Sequence, residues 1–351
     1  MLDGLVVAGL VAFHKRIISL VSPLRIGIAS LSLCIGASPL VYYNVVRRGS
    51  TLRTSAVMSE KAPFAQKILV LRKTLDGSVM LGWLTEDGQA NEATPPYHFW
   101  GGIAAKLNRA FGYPESNGIL YAFVVSCCAI PLLWFTPRRR IITFTLVYLL
   151  VTWCQMVVVP NTGATLHHVI LLWPFPHVLI AIVAAETAQR LGKKGSRLVT
   201  ALLFILVARN LMLINRYYVD LITRGTSVIW TDAVIPLHNY IESLDRPHVV
   251  TVDWGYATTL CLLSDGDIHI DDISYTLLSP SERERVWIRG LMDDPQSLFV
   301  DHMDNGGQFR TAREQLASIA TEGNRQKDIR QVILDRNLRP RFQIFRYVPV
   351  P

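Results

Sequence analysis

The chain has 351 residues, half of them apolar, with a mean hydropathy of +0.29 and a formal net charge of +8. Apolar residues in such long blocks exclude an ordinary soluble domain. The positive charge does not indicate nucleic acid either: residues 1–216 hold 21 Lys and Arg against 8 Asp and Glu, whereas residues 217–351 hold 14 against 19, so the region that could be soluble is acidic and offers no basic face to a phosphate backbone.

In chain order, the first apolar block is Leu2–Phe13. At twelve residues it is too short to cross a bilayer unaided. It lacks the preceding basic residues and the small-residue cleavage site of a signal peptide, and is expected to be the end of a helix that begins upstream. Five longer blocks follow: Ile26–Val46, Gly118–Phe135, Ile141–Val159, His168–Ala185 and Leu198–Ile214. Each is close to the roughly 20 residues that span about 30 Å of hydrocarbon, so five to six membrane helices are expected.

Three short segments between or beside these blocks carry ten basic residues and no acid: Lys15, Arg16 and Arg25; Arg138, Arg139 and Arg140; Arg190, Lys193, Lys194 and Arg197. The positive-inside rule puts them on the cytoplasmic side. Residues 47–115 then form a long extracytoplasmic loop, Pro160–Leu166 a short one, and Met1 and the C-terminal region lie outside the plasma (inner) membrane. The predicted organisation is a multi-pass membrane domain over residues 1–216 and an extracytoplasmic α/β domain over 217–351. Four of the five cysteines lie in predicted spans and only Cys261 in the α/β domain, so no disulfide framework is expected.

Within the α/β domain, strands are expected at His248–Asp253, Asp267–Ile273 and Leu298–His302, and helices at Tyr256–Leu263, Ser281–Met292 and Phe309–Ala320. Arg330–Leu334 and Phe342–Tyr347 are expected to be paired terminal strands. This alternation implies a small three-layer α/β fold. The turn after the first strand has one glycine where a dinucleotide fingerprint needs three, and neither a phosphate-cradling GxxxxGK[ST] loop nor a GxSxG elbow occurs. Asp265–Asp272 packs four acids and a histidine into eight residues. A polar turn is the favoured reading over a divalent-cation site, because the later glutamate of an EF-hand is missing. No cofactor motif appears, and a divalent-metal requirement stays open.

The most informative stretch is Asn161–Ala181, NTGATLHHVILLWPFPHVLIA. His167 and His168 fall where a short outer loop enters the membrane. Pro174 and Pro176 lie one to two turns deeper, where they should free carbonyls near Ile170 and Leu172 and bend the helix. A bent helix with imidazoles at its outer mouth suits a cavity that receives a lipid-linked phosphate, although the same residues can simply mark an interface.

The pattern TGATLHHVILLWPFPHVLIA, together with GASPLVYYNVV at Gly36–Val46 and the loop after it, resembles the later helices of polytopic glycosyltransferases of the GT-C fold. The nearest groups are the dolichyl-phosphate-mannose protein mannosyltransferase-like and lipopolysaccharide-core galacturonosyltransferase-like families. The resemblance covers most of residues 1–216. It implies transfer of a sugar from a polyprenyl-phosphate carrier to a lipid, glycan or protein acceptor on the extracytoplasmic side, with inversion at the anomeric carbon and an acidic base. In that family the base lies in the first outer loop. Asp3, the only acid before Glu60, lacks the preceding helix and is not given the role, so the catalytic residue stays unassigned and a separate polypeptide is a candidate supplier of further helices.

Candidates for contact with the lipid phosphate or substrate are His167, His168, Asn44, Arg47, Arg48 and Arg53. Arg209 and Asn210 are the least expected polar pair inside a span. Tyr97, Phe99 and Trp100 are expected to form an interfacial helix or cover the cavity. Two other classes stay open. A noncatalytic membrane anchor would display the α/β domain, and a lipid or solute transporter would normally show duplicated halves, which are not found.

Overall fold

Apolar runs dictate helices in the first part of the chain and β-branched runs dictate strands in the second. The computed structural model describes residues 2–46, 62–85, 98–160, 162–245, 247–303 and 307–350. It divides into two units, Met1–Gly82 with Gly102–Tyr218 and Trp83–Gly101 with Val219–Pro351. This division falls at Tyr218/Val219 and places part of the predicted outer loop with the second unit.

The first unit begins with α1 (Leu2–Leu20), which breaks from helical geometry at Phe13, and α2 (Pro23–Val46). The predicted loop 47–115 is partly helical where it is described, forming α3 (Phe64–Leu75) and α4 (Phe99–Phe111). Then come α5 (Ile119–Leu133), α6 (Arg139–Val158) and α7 (Pro174–Arg224). Tyr97 lies outside the described residues, while Phe99 and Trp100 open α4 and are exposed.

Among the described residues, three helical stretches are long and apolar enough to cross a membrane: Pro23–Val46, Arg139–Val158 and Leu166–Arg224. This corrects the expected five to six, for two physical reasons. The Gly118–Phe135 block yields only 15 helical residues, opening after the left-handed Gly118 (φ +83°) and closing before Trp134. At 1.5 Å per residue these cover about 22 Å. The last two blocks run together through Pro174–Arg224, where two helices meet across a kink at Gly192 (φ 61°, ψ −151°) and so count as one stretch.

The prolines also act differently from expectation. Leu166–Val169 forms one helical turn, Ile170–Leu172 tightens into a 3-10 turn, and α7 begins at Pro174. A proline in the first turn of a helix sacrifices no hydrogen bond, because that N–H would have no intrahelical partner.

Close packing in this unit is selective. Gly4 of α1 lies so near α6 that a Cβ there would meet Thr152 Oγ1 at 2.5 Å, and Ala8 is fully buried beside Tyr148. No residue of α2 is buried, and its leucines, isoleucines and valines face outward, as do Phe204, Ile205 and Val207 of α7. In water such continuous apolar exposure would be strongly unfavourable, whereas against lipid chains it has no cost.

The second unit contains α8 (Val234–Glu242), β1 (His248–Thr251), α9 (Ala257–Leu263), β2 (His269–Asp272), α10 (Glu282–Asp293), β3 (Ser297–His302), α11 (Arg310–Glu322), β4 (Arg325–Leu334) and β5 (Pro340–Pro349). The sheet order is β2-β1-β3-β5-β4, parallel through the first three strands and antiparallel through the last two. Side chains alternate across it. Val250, Phe299 and Phe345 meet Ile288, Leu316 and Ile319 on one face, whereas Val249, Leu298, Val300, Phe342 and Ile344 meet Leu237, Ile241 and Leu260 on the other. Helices thus cover both faces, giving three layers.

Local chemistry sets the boundaries. Ser281 and Glu284 form a reciprocal capping box at the start of α10. In the β4–β5 turn, the buried carboxylate of Asp335 accepts from the Nε of Arg339 and of Arg341. These arginines in turn donate to Arg224 O and Thr226 O at 2.8 and 3.1 Å, satisfying carbonyls just where α7 ends.

Candidate functional site

Helix α6 has a basic end, at Arg138, and an opposite end, at Val158. Arg138 Nε pairs with Glu186 Oε1 at 2.8 Å, and Glu186 lies one turn before Arg190. The basic segments Arg138–Arg140 and Arg190–Arg197 therefore gather at the same end of this unit.

The other end of α6 is closed by Lys67 of α3. Its side chain is buried and its Nζ donates to Met156 O, Val157 O and Val159 O at 2.8, 3.1 and 2.8 Å. Helix α3 also packs against the Leu166–Val169 turn, which carries His167 and His168. The two imidazoles are 4.2 Å apart between ring centres, and Thr165 Oγ1 lies 2.9 Å from His168 Nδ1 and 3.4 Å from His167 Nε2. On α1, Asp3 Oδ2 accepts from Gln155 Nε2 at 3.3 Å near this same end of α6.

A cavity of about 490 Å³ lies between the two halves of α7 that flank Gly192. Its walls are Ala181, Ala184, Ala185 and Ala188 from the first half and Val199, Leu203, Leu206 and Val207 from the second. Small residues on one side leave room that the larger ones do not fill. His177 and Asn210 supply polar groups among these apolar walls. His177 Nδ1 donates to Trp173 O at 2.8 Å, so in the neutral ring Nε2 is left to accept from a hydroxyl, and once protonated it donates to an anionic oxygen. Asn210 Oδ1 accepts from Asn117 Nδ2 at 3.4 Å. Arg209 reaches away to the turn before α5, giving its Nε to Ser116 O at 2.8 Å and Nη2 to Ser116 Oγ at 3.3 Å.

The predicted site residues therefore sort into groups. His167 and His168 are together, and Arg209 and Asn210 both engage the residues that precede α5. Asn44 donates to Leu40 O of its own helix at 2.9 Å. Arg47, Arg48 and Arg53 lie outside the described residues. His177 and Lys67 were missed. The signal for His177 was its position one turn before a run of alanines; Lys67 was a single cation on an outer-loop helix and gave none.

In the α/β domain, the chain passes from β1 to β2 on one side of the sheet and then crosses back to β3 on the other. The carboxyl ends of β1 and β3 thus form a topological switch point, where ligands commonly bind α/β sheets. Buried Asp253, Asp301 and His302 sit there with Arg313 of α11. Asp253 Oδ1 accepts from the N–H groups of Trp254, Gln308 and Phe309 at 2.7, 3.1 and 3.1 Å. Its Oδ2 faces Arg313 Nη2 at 3.3 Å and His302 Nδ1 at 3.4 Å. Arg313 Nε also pairs with Asp301 Oδ2 at 3.0 Å. Neither ring nitrogen of His302 meets hydrogen-bond geometry.

Burial alone would raise the Asp253 pKa, but the His302 imidazole, the Trp254 N–H and Arg313 hold it below the usual carboxylate range. Asp301 goes the other way: desolvation and the Asp253 charge outweigh Arg313 and push it from 3.8 up to about 6. Asp301 and Arg313 border a second cavity of about 340 Å³ with Arg325, Lys327, Phe345 and Tyr347.

The Asp301 shift gives a stability prediction. A carboxyl whose folded pKa exceeds its unfolded value favours folding while protonated, so its contribution is complete below about pH 4 and is lost as pH rises to about 6. That loss is roughly 3 kcal/mol. In the Asp301→Asn variant, hydrogen-exchange protection of β3 should lose the component that falls between pH 4 and 6, because the amide still accepts from Arg313 without titrating. An unchanged slope would assign it to other groups.

Comparison with protein-family models, curated proteins and solved structures finds no match to this chain. Its own geometry must carry the functional reading.

Proposed function

We propose that this chain is a membrane glycosyltransferase, or the carrier-binding part of one, that uses a polyprenyl-phosphate-linked sugar on the extracytoplasmic face. The observation that carries the reading is the cavity between the halves of α7, where apolar walls suit an isoprenoid chain and His177 and Asn210 offer polar contacts. The two helices of α7 meet across a kink at Gly192 and both line one cavity, so α7 is read as turning there and crossing twice. The two basic segments gathered by the Arg138–Glu186 pair then face the cytoplasm, and the α/β domain lies outside.

One observation favours the noncatalytic anchor instead. None of the residues lining the α7 cavity is a carboxylate, so the acid that activates an acceptor is not placed there.

Carrier binding tests the proposal. Purified full-length protein in nanodiscs should bind a fluorescent polyprenyl phosphate. Ala184→Phe, which fills the cavity, should weaken binding about tenfold, equivalent to losing roughly two buried methylenes. Asn210→Leu should weaken it while preserving folding. Equal affinity in the wild type and a folded Ala184→Phe variant would remove the cavity from function and leave the anchor reading.

A further inference from the structure

The acid-rich stretch Asp265–Asp272 acquires a partner that its own sequence does not supply. His269 opens β2 and is paired in register with His248, which opens β1. Their rings stack at 4.3 Å with an interplanar angle of 9°. Asp271, two residues along β2, places Oδ2 2.9 Å from His248 Nε2. One ligand atom from each of these three side chains lies within 4.8 Å of the others. This cluster is at the amino ends of the strands, opposite the switch-point group of Asp253 and His302.

His248 carries the decisive chemistry. Its second nitrogen, Nδ1, lies 3.4 Å from Asp294 Oδ2 and 3.2 Å from Ser297 Oγ, while that hydroxyl donates to the same Asp294 oxygen at 2.9 Å. The imidazole thus stands between two carboxylates, one at each nitrogen. A neutral ring has a single N–H and satisfies only one of them. With Nδ1–H directed at Asp294, the Nε2 lone pair faces the Asp271 carboxylate, where a metal ion would bridge the two; with Nε2–H directed at Asp271 instead, Nδ1 accepts from the Ser297 hydroxyl. A carboxylate that orients a histidine through its far nitrogen is the usual outer support of a metal-bound imidazole.

From this geometry we infer that His248, His269 and Asp271 form a site for a divalent transition metal of the Zn²⁺ class, with Asp294 as the positioning residue for His248. Two imidazoles and one carboxylate suit Zn²⁺ better than Ca²⁺ or Mg²⁺, which favour all-oxygen ligand sets. A tetrahedral ion with ligand bonds of about 2.0–2.1 Å separates its ligand atoms by about 3.3 Å. His248 and Asp271 need open only by tenths of an ångström, while exposed His269 must tilt its ring out of the stack on His248 to bring a nitrogen inward. Three protein ligands leave the fourth position to water, and the bound ion links edge strand β2 to β1.

The test uses the purified full-length chain in detergent, stripped of metal and without a polyhistidine tag. Titration with Zn²⁺ should show one saturable site per chain and raise the thermal midpoint, since the ion binds the folded state. Co²⁺ should give the visible absorption of a four-coordinate nitrogen and oxygen site. His269→Ala and Asp271→Asn, both at the partly open edge strand, should abolish the site while the metal-free proteins retain the wild-type midpoint. Asp294→Asn should weaken it about tenfold. Absence of a saturable site in the folded wild type, or equal binding in both ligand variants, overturns the inference and leaves His248 as a hydrogen-bonded residue at the strand start.

Discussion

Replacing Lys67 with Met should cost about 3 kcal/mol and lower the thermal midpoint of the detergent-solubilised chain by several degrees. The expectation follows from the three carbonyls at the end of α6. Each has lost its next helical donor, and Lys67 Nζ supplies all three from a buried position. Hydrogen bonds to a charged group contribute about 1.5–3 kcal/mol each, and the negative end of the helix dipole adds to the attraction. The burial of the ammonium offsets part of this sum. Methionine keeps the length of the stem, so the loss reports the charge rather than a cavity. Arginine should recover little, because a planar fork does not converge on three carbonyls as a point charge does. Full stability in Lys67→Met would show that these carbonyls find other donors and that the end of α6 beside the histidines does not depend on α3.

The α/β domain was largely legible because its signals are local. The run His248–Asp253 is β-branched and short, the helices around it are amphipathic, and the expected terminal strands do pair antiparallel. Helix α8 escaped notice, having a proline within nine residues. The membrane unit was less legible in its count than in its composition. Hydropathy locates apolar blocks but does not register that one of them gives a helix of only 15 residues, or that two others run together across a kink at Gly192.

Site residues divide in the same way. His167 and His168 are neighbours in sequence and in space, so reading them together required no fold. His177 was obscured because Pro174 and Pro176 suggested a kink inside a helix, whereas they begin one and turn the histidine toward the alanines. The Asp253 cluster draws on β1, β3 and α11, and His248 meets Asp271 only through strand register. Such groupings depend on long-range pairing and leave no spacing pattern to detect.

The buried cluster at the sheet switch point supplies the other large expected effect. Asp253→Asn should destabilise the α/β domain by about 3–5 kcal/mol, the usual cost of removing one partner from a buried ion pair. The amide offers one oxygen where the carboxylate offers two. If that oxygen accepts from Trp254, Gln308 and Phe309, its NH₂ confronts the guanidinium of Arg313; if the amide is reversed, the three backbone donors lose their acceptor. Arg313→Met should be at least as severe, since Asp253 and Asp301 would share a dry site with no guanidinium between them. The double variant should cost less than the two single losses added together, because each single change already strands the other's partner. The pH dependence has a defined sign. Asp253 has a lowered folded pKa, so its contribution is present above its unfolded value and disappears as pH falls through the folded one; the Asn variant and wild type should converge in acid. Hydrogen exchange on the full chain provides a local readout. Amides of β1 and β3 should exchange roughly two to three orders of magnitude faster in Asp253→Asn at neutral pH, with the helices of the first unit unaffected. Additive losses in the double variant, or unchanged protection in Asp253→Asn, would show that the loop carrying Gln308 and Phe309 is held by other contacts.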